Sequence, residues 1–458
     1  MGKYFGTDGI RGIVNNGLNA ELAFRVGQAA AMVLAENSAN KRPLFTIGKD
    51  TRISCDMLEA AITAGLCSAG ADVMHLGVVP TPAVAFITAE CGADAGIVIS
   101  ASHNPYEHNG IKIFNGKGFK LSDELELRIE ELVDGTKPLT AKLNGDIGRV
   151  ILRGREYVDR YVEHVVSVSE GKIGKLKVMI DCSNGAATRT VSDIFGRFPL
   201  DLELIKDHPD GCNINDNCGS THIEGLGRMV VAGGFDLGLA FDGDADRCLA
   251  VDENGNLVDG DKIMAICAKS MIEEGRLSKN AIVATVMSNL GFHEYCNKNG
   301  IDLHCAAVGD RNVLEMMQEN GFNLGGEQSG HMIFLDYATT GDGQLAAVRF
   351  LKVLSQSGKK LSELASEIPT YPQVLQNIAI NGGNEVKKRI ISDEELKQMI
   401  EYEQTKLGDS GRILVRPSGT EALIRVMVES IDKEISDKVA LRISSLIENL
   451  AIKIKNVN

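Results

Sequence analysis

Positive charge is scarce in this sequence of 458 residues: Lys and Arg number 48 against 62 Asp and Glu, a formal net charge of −14. Binding along a phosphate backbone calls for the opposite balance, so nucleic acid is not an expected partner. An anionic substrate has to be held by local cations or backbone N–H groups against the field of the whole chain. Long apolar runs are also missing. The opening Met1-Gly2-Lys3-Tyr4-Phe5-Gly6 has no apolar signal core, and the alanine-rich residues 29–35 are far too few to span a bilayer. No membrane partner is expected, and the expected location is the cytoplasm. Aromatic residues make up only 5%, yet 44% hydrophobic and 24% charged residues describe an ordinary soluble protein, neither disordered nor fibrous. The ten cysteines include no C-x-x-C pair, the closest two, Cys212 and Cys218, being six apart. They read as reduced, mostly buried thiols.

What is present is repetition. The length, about three times that of a typical domain, leaves room for several cores. Three units align by their apolar runs. Leu44-Phe45-Thr46-Ile47-Gly48, Val178-Met179-Ile180-Asp181 and Ala281-Ile282-Val283-Ala284-Thr285 each enter a polar loop and then a helical pattern. A second strand follows in each, and then a third, where the likeness is closest. Ala93-Asp94-Ala95-Gly96, Phe235-Asp236-Leu237-Gly238 and Phe322-Asn323-Leu324-Gly325 all run apolar, Asp or Asn, apolar, Gly. Amphipathic helices lie between the strands, so each repeat is expected to be an α/β layer domain whose mixed sheet is largely parallel. Ligands of such sheets sit beyond the carboxyl ends of the strands.

After Pro369 and Pro372 the pattern changes. A strand near 374–380, a helix from Asp393 to Leu407, a strand pair near 412–416 and 422–429 and a last helix from Glu434 to Leu450 suggest a smaller α+β domain. The expected domains are 1–150, 151–257, 258–368 and 369–458.

The loops after the third strands carry the chemistry. In Asp242-Gly243-Asp244-Ala245-Asp246-Arg247, carboxylates at alternate positions just past a strand can converge on one hard cation, and an all-oxygen set favours Mg²⁺, Mn²⁺ or Ca²⁺ over zinc. An EF-hand loop is disfavoured, since its sixth position is Arg247 where the turn needs Gly. In Ser100-Ala101-Ser102-His103-Asn104-Pro105, Ser102 is not the nucleophile elbow of a hydrolase, because Ser100 and Asn104 stand where Gly is required. His103, adjacent in sequence, is expected to point away from the Ser102 hydroxyl. Lys112 is placed to steer a charged group. Glu327, Ser329 and His331, in Gly326-Glu327-Gln328-Ser329-Gly330-His331, offer acceptors and donors of the kind that bind sugar hydroxyls. Phe5-Gly6-Thr7-Asp8-Gly9-Ile10-Arg11-Gly12 lets backbone approach an anion while Arg11 clamps it. Arg416-Pro417-Ser418-Gly419-Thr420 has the ingredients of a phosphate nest. Each loop alone fits a plainer reading as a solvated turn, a surface lysine or a hairpin. Together they assemble the parts of phosphoryl transfer on a phosphosugar.

In order, these loops resemble the motifs of the α-D-phosphohexomutases over nearly the whole chain. The start at Lys3-Tyr4-Phe5-Gly6, Val286-Met287-Ser288-Asn289-Leu290-Gly291, Gly309-Asp310-Arg311 and Glu327-Gln328-Ser329 resemble the amino-sugar branch. The resemblance implies an isomerase interconverting glucosamine 6-phosphate and glucosamine 1-phosphate on the bacterial route to UDP-N-acetylglucosamine, a peptidoglycan precursor. It implies four domains around one central cleft. It carries over Ser102 as the phosphoserine, with His103 beside it, and one Mg²⁺ held by Asp242, Asp244, Asp246 and a phosphoserine oxygen. Arg11, Lys112 and Arg247 would add positive charge, and Glu327 and Ser329, with His331 near them, would read sugar hydroxyls. Arg416, Ser418, Gly419, Thr420 and Arg425 would hold the phosphate that is not reacting. A bisphosphorylated sugar is the implied intermediate. Mannose or glucose phosphates are the rival substrates, and a non-catalytic phosphosugar-binding protein is disfavoured because it needs no Ser102. The sequence leaves the oligomeric state open, a homodimer included.

Overall fold

The computed structural model of the chain describes residues 2–457 apart from Thr7, Asn37, Ala39, Lys41 and residues 419–421, with side chains as far as Ile454 in the last helix. The chain folds into two compact units. The larger comprises the residues up to Met287 together with Asn299–Glu367, and the smaller comprises Ser288–Lys298 together with the residues from Ile368 onward.

Three sheets of the larger unit repeat one plan, with strands in the spatial order 2-1-3-4. Strands 2 and 3 run parallel to strand 1, and strand 4 runs antiparallel on the far side of strand 3. In the first sheet the four strands are Leu44–Lys49, Asp72–Val78, Ala95–Ile99 and His108–Asn115. In the second they are Lys177–Asp181, Asp201–Ile205, Leu237–Phe241 and Cys248–Asp252. In the third they are Ala281–Thr285, Asp302–Ala306, Leu324–Gly326 and Met332–Phe334. Gly9–Val14 widens the first sheet by pairing with His108–Asn115. The sheets are mixed α/β layers, as the repeats imply. Because strand 4 reverses direction directly after strand 3, each polar loop begins at the carboxyl end of a buried parallel strand and is pinned at both ends by its own sheet.

The repeated four-residue pattern has a physical reason at each position. The Asp94 carboxylate accepts the N–H of Leu44 at 2.8 Å and Asp236 accepts that of Lys177 at 2.7 Å, so a side chain completes the ladder where strand 1 starts. Asn323 accepts from Ser278 at 3.0 Å, just ahead of the third repeat's first strand. The glycines allow a helix to lie close to the sheet. A Cβ at Gly238 would stand 2.8 Å from Val230 of helix Glu224–Gly233, and one at Gly325 would stand 2.6 Å from the sulfur of Met317 in helix Asp310–Asn320. At Gly96 it would meet Val84 and Thr46 at 3.1 Å.

Helix Gly343–Ser357 is buried almost all round and ties the repeats together. Asp342 caps it, accepting from the N–H of Leu345 at 2.9 Å, and the Gly343 N–H donates to the Ala245 carbonyl at 3.0 Å. At its far end the wholly buried Lys352 ammonium lies 2.9 Å from Glu274 and 3.3 Å from Glu170, which also pairs with Arg276. A lysine without water has to be neutralised by such partners.

The smaller unit has a three-stranded antiparallel sheet, Gln373–Ala379, Leu423–Ser430 and Gly411–Pro417 in that order, backed by helices Gly383–Ile391, Glu394–Leu407 and Lys433–Val457. Ile378, Ile424, Val426, Ile443 and Ile447 form its core. Helix Leu290–Lys298, which chain order puts inside the third repeat, belongs to this unit. The fully buried Glu429 carboxylate holds it, accepting from Asn289 Nδ2 at 3.1 Å, Leu290 N–H at 3.2 Å, Gln373 at 2.8 Å and Arg412 at 2.5 Å. Six of the ten cysteines are buried and Cys212 is exposed. Among the described residues no helix is long and apolar enough to cross a membrane.

Hydrogen bonding from Arg276, and then from Lys172 and Lys352, outweighs a small burial penalty and holds the Glu170 carboxyl down to about 2 from its usual 4.5. A depressed carboxyl stabilises the fold above pH 4.5 and withdraws that contribution as the pH falls toward about 2. Glu170→Gln is therefore expected to be less stable than the parent at neutral pH, with the gap closing through that acid window in urea unfolding curves. A gap that stays constant down to the acid end would show that charge at Glu170 is not what stabilises this cluster.

Candidate active site

Strand Ala95–Ile99 runs into a loop where Ser102 is 1% exposed and has φ +53°. Left-handed backbone costs a residue with a Cβ roughly 1–2 kcal/mol. Its hydroxyl donates to Asp242 Oδ2 at 2.6 Å, reaching from the first repeat to the second. His103 Nδ1 lies 3.3 Å from the same hydroxyl. Adjacency in sequence argues that His103 points elsewhere, and this expectation fails, because the left-handed turn at Ser102 brings the following side chain back toward the hydroxyl. Burial, followed by the charges of Arg247 and Arg11, lowers the His103 imidazole to about 4.

The acidic loop after Leu237–Phe241 is also tightly turned, with Ala245 at φ +54°. Thr81, the first residue of helix Thr81–Glu90, grips the loop by its N–H on the Asp244 carbonyl at 2.9 Å and by its hydroxyl on Asp244 Oδ2 at 2.6 Å. One oxygen each from Asp242, Asp244 and Asp246 lies within 4.8 Å of the others, and all three residues are buried. Asp244 Oδ1 and Asp246 Oδ1 have no hydrogen-bond partner. Burial and then repulsion from Asp246 and Asp244 push the Asp242 carboxyl well up, and burial and then Asp244 raise Asp246. Burial works against ionised Asp244 as well, but Lys112 and then Thr81 overcome it and hold that carboxyl well down. Convergent buried oxygens without donors, two of them disfavoured as bare anions, fit a hard divalent cation.

Lys112, 3% exposed, lies 2.8 Å from Asp244, 3.0 Å from Asp8 and 3.5 Å from Asp246. Arg11 donates to Asp8, which also accepts from Lys120 at 2.5 Å, and Lys120 pairs in turn with Asp310. Asp8, Thr81 and Lys120 escaped the sequence reading. Asp8 stands inside a motif read for its glycines and its arginine, and Lys120 sits in no motif at all, so only the fold brings it near. Arg247 donates its N–H to Asp242 Oδ1 at 3.2 Å.

The third loop joins the second through a bridge between Arg247 and His331. His331 is 4% exposed with neither ring nitrogen hydrogen bonded, and Nε2 is 3.6 Å from Asp310. Glu327 accepts from the Gly309 N–H at 3.1 Å and from the Ser329 hydroxyl at 3.2 Å. Gly309-Asp310-Arg311, noticed in the sequence for likeness alone, thus orients Glu327 and faces His331. Ser102, His103, Arg11, Lys112, Arg247, the three aspartates, Glu327, Ser329 and His331 all belong to the larger unit.

Arg416, Ser418 and Arg425 belong to the smaller unit. Arg416 and Arg425 stand directly opposite across two antiparallel strands. Burial followed by Arg425 lowers the Arg416 guanidinium. The Ser418 N–H donates to the Leu423 carbonyl at 2.9 Å. Gly419 and Thr420 lie outside the described residues.

Family models for phosphoglucomutase/phosphomannomutase match most of the chain: alpha/beta/alpha domain I over residues 2–139, domain II over 155–255, domain III over 259–371 and the C-terminal domain over 384–446. A phosphoglucosamine mutase from Acetivibrio thermocellus is 51% identical over 98% of this chain and 99% of its own. One from Oceanobacillus iheyensis is 50% identical with the same coverage. Among solved structures, a phosphoglucomutase/phosphomannomutase family protein from Burkholderia thailandensis superposes with TM-score 0.80 at 24% identity, covering 97% of both chains. N-acetylphosphoglucosamine mutase from Aspergillus fumigatus, solved with GlcNAc-6P and magnesium, has TM-score 0.69 at 17% identity, covering 98% of this chain and 96% of that one. These two likenesses concern the fold.

A cation bound only by the folded chain stabilises it by mass action, about 2.7 kcal/mol at a hundred times Kd. Thermal unfolding in excess MgCl₂ is thus expected several degrees above that in EDTA. Asp246→Asn should abolish most of the shift, and a shift that survives in this variant would place the cation elsewhere.

Proposed function

We infer the reaction from one premise: the chain belongs to the phosphoglucosamine mutases, a branch of the phosphoglucomutase/phosphomannomutase family. It is an isomerase, and its proposed reaction interconverts glucosamine 6-phosphate and glucosamine 1-phosphate, supplying UDP-N-acetylglucosamine synthesis in the cytoplasm. The observation that carries this reading is the Ser102 hydroxyl, buried and 2.6 Å from an aspartate of a convergent acidic triad. A binding protein has no use for that arrangement.

In the proposed cycle Ser102 carries a phosphoryl group. The free 1-hydroxyl of glucosamine 6-phosphate attacks it, so that the bond from phosphorus to Ser102 Oγ breaks as the bond to the sugar oxygen forms. The sugar's proton ends on Ser102 Oγ, which is the hydroxyl that donates to Asp242. The bisphosphorylated sugar turns around, Ser102 Oγ attacks its 6-phosphate as the bond from phosphorus to the sugar 6-oxygen breaks, the serine proton passes to that oxygen, and the sugar leaves as the 1-phosphate with no water consumed. Asp242, Asp244, Asp246 and an oxygen of phosphorylated Ser102 would hold one Mg²⁺, whose charge when bound offsets that of the transferred group. Lys112 and Arg11, aligned on Asp8, and Arg247, aligned on the acidic loop, add fixed positive charge without needing to reorganise. His103 lines the approach to Oγ. Glu327, Ser329 and His331 read the sugar hydroxyls, and burial of His331 with neither ring nitrogen hydrogen bonded leaves both for the ligand. Arg416, Ser418, Gly419, Thr420 and Arg425 are assigned to the phosphate that is not reacting. Residues 1–150, 151–257, 258–368 and 369–458 are assigned as the domains that contribute the serine, acidic, sugar and phosphate loops.

A coupled assay with glucosamine, glucose and mannose monophosphates tests the reading. Turnover should be greatest with the amino sugar, and preference for glucose or mannose phosphate would move the chain to the rival activity. Ser102→Ala should lower kcat by at least about 1,000-fold, the scale on which single contacts act in phosphoryl transfer.

A further inference from the structure

Ser102 occupies backbone space that a residue with a side chain avoids, and two buried charged residues that the cycle does not use converge on it. Asp50 and Arg52 follow strand Leu44–Lys49 in Lys49-Asp50-Thr51-Arg52. Both side chains are wholly buried, with Arg52 Nε 2.9 Å from Asp50 Oδ2. The guanidinium spends its other donors on the serine loop. Nη2 donates to the carbonyls of Ser102 at 2.9 Å and Asn104 at 2.8 Å, and Nη1 donates to that of Pro105 at 2.5 Å. Asn215 Nδ2 donates to the same Ser102 carbonyl at 2.9 Å. The carboxylate holds the other side. Asp50 Oδ2 accepts from the Ser100 hydroxyl at 2.6 Å, and the Ser100 oxygen accepts the Ser102 N–H at 2.9 Å.

The N–H and the carbonyl of Ser102 therefore both end in one ion pair. A buried ion pair is a poor way to gain stability, since apolar residues of similar volume usually do as well or better. What a guanidinium adds is direction, because its planar fork fixes several acceptors at once. Here the acceptors are three carbonyls of a single loop.

We propose that Asp50 and Arg52 are positioning residues for phosphoryl transfer, clamping Ser102 in its left-handed conformation so that Oγ is presented to Asp242. This rests on the reading of Ser102 as the phosphoryl carrier. With the clamp loosened, Ser102 relaxes toward negative φ, where its Cβ is unstrained, and Oγ leaves the acidic loop. The sugar-reading residues Glu327 and Ser329 are untouched, so the loss falls on kcat and spares KM.

Arg52→Lys keeps the charge beside Asp50 and removes the fork. It is expected to lower kcat about 100-fold, the effect of misplacing a reacting group by about 1 Å, with KM within about twofold of wild type. A crystal structure of the variant should show Ser102 at negative φ. Ser100→Ala, which retains both charges and removes only the hydroxyl between Asp50 and the Ser102 N–H, is expected to act in the same direction and serves if Arg52→Lys does not fold. Thr46→Val, which removes a buried hydroxyl pair with Thr88 on the same strand, should leave kcat unchanged. Ser102 at positive φ with wild-type kcat in Ser100→Ala or Arg52→Lys overturns the proposal, as does rescue by Lys, which would reduce Arg52 to a counter-charge. Wild-type protein without turnover and without phosphate on Ser102 overturns the reaction instead, and the backbone of the two variants still decides the clamp.

Discussion

Three carboxylates that face one another away from water are the constraint around which the larger unit is organised. Asp242, Asp244 and Asp246 cannot all ionise there unaided, and each is managed differently: Asp244 by Lys112 and Thr81, Asp242 by the Ser102 hydroxyl and the Arg247 N–H, and Asp246 by the more distant charges of Lys112 and Arg247. The supporting groups come from different parts of the chain. Lys112 stands on the fourth strand of the first sheet, Thr81 at the start of a helix of the same repeat, and the Gly343 N–H that fixes the Ala245 carbonyl begins a helix after the third. The acidic loop is thus a meeting point of all three repeats, and its charge balance depends on their assembly. No single repeat could hold it.

The repeats themselves were legible because their solution to one packing problem is written in residue types. An Asp or Asn that completes the ladder and a Gly that admits a helix leave a four-residue trace recognisable three times. The fourth strand left no such trace, since it is apolar in Cys248-Leu249-Ala250-Val251 but carries Asn109 and Lys112 in the first repeat, and the two share no pattern. Ser102, the aspartates, Lys112 and the loop of Glu327 and His331 were legible too, as types whose chemistry stands out near strand ends. Their partners were not. Asp50 and Arg52 read as a polar turn, and Lys120 reads as one surface lysine among many. What distinguishes them is burial and convergence over long stretches of sequence, and neither has a local pattern. His103 shows the limit from the other side: a rule about neighbouring side chains assumes ordinary backbone, and Ser102 does not have it.

Much of the architecture around Ser102 therefore concerns backbone shape as well as charge. Among the described residues the serine loop and the acidic loop each contain a left-handed residue with a side chain, Ser102 and Ala245, and the carbonyl of each accepts from a donor outside its own loop. Strain of this kind persists only where surroundings over-determine it. In the proposed cycle a rigid loop is what transfer in both directions demands, since the same oxygen would be donor in one half and acceptor in the other without moving between them.

Helix Leu290–Lys298 gives the two units an unusual connectivity. Since it belongs with the smaller unit while the strands on either side of it, Ala281–Thr285 and Asp302–Ala306, belong to the larger, the chain passes between the units three times, after Met287, after Lys298 and after Glu367. The smaller unit is consequently not an appendage that one cut can detach. Shortening the gene at Ile368 would leave Asn289 and Leu290 behind without Glu429, and expressing the last ninety or so residues alone would leave the buried Glu429 without two of its donors. Recombination among related genes faces the same restriction: an exchange of the carboxyl-terminal portion has to be compatible with a helix encoded some seventy residues upstream of the boundary, so the two stretches are bound to be inherited together.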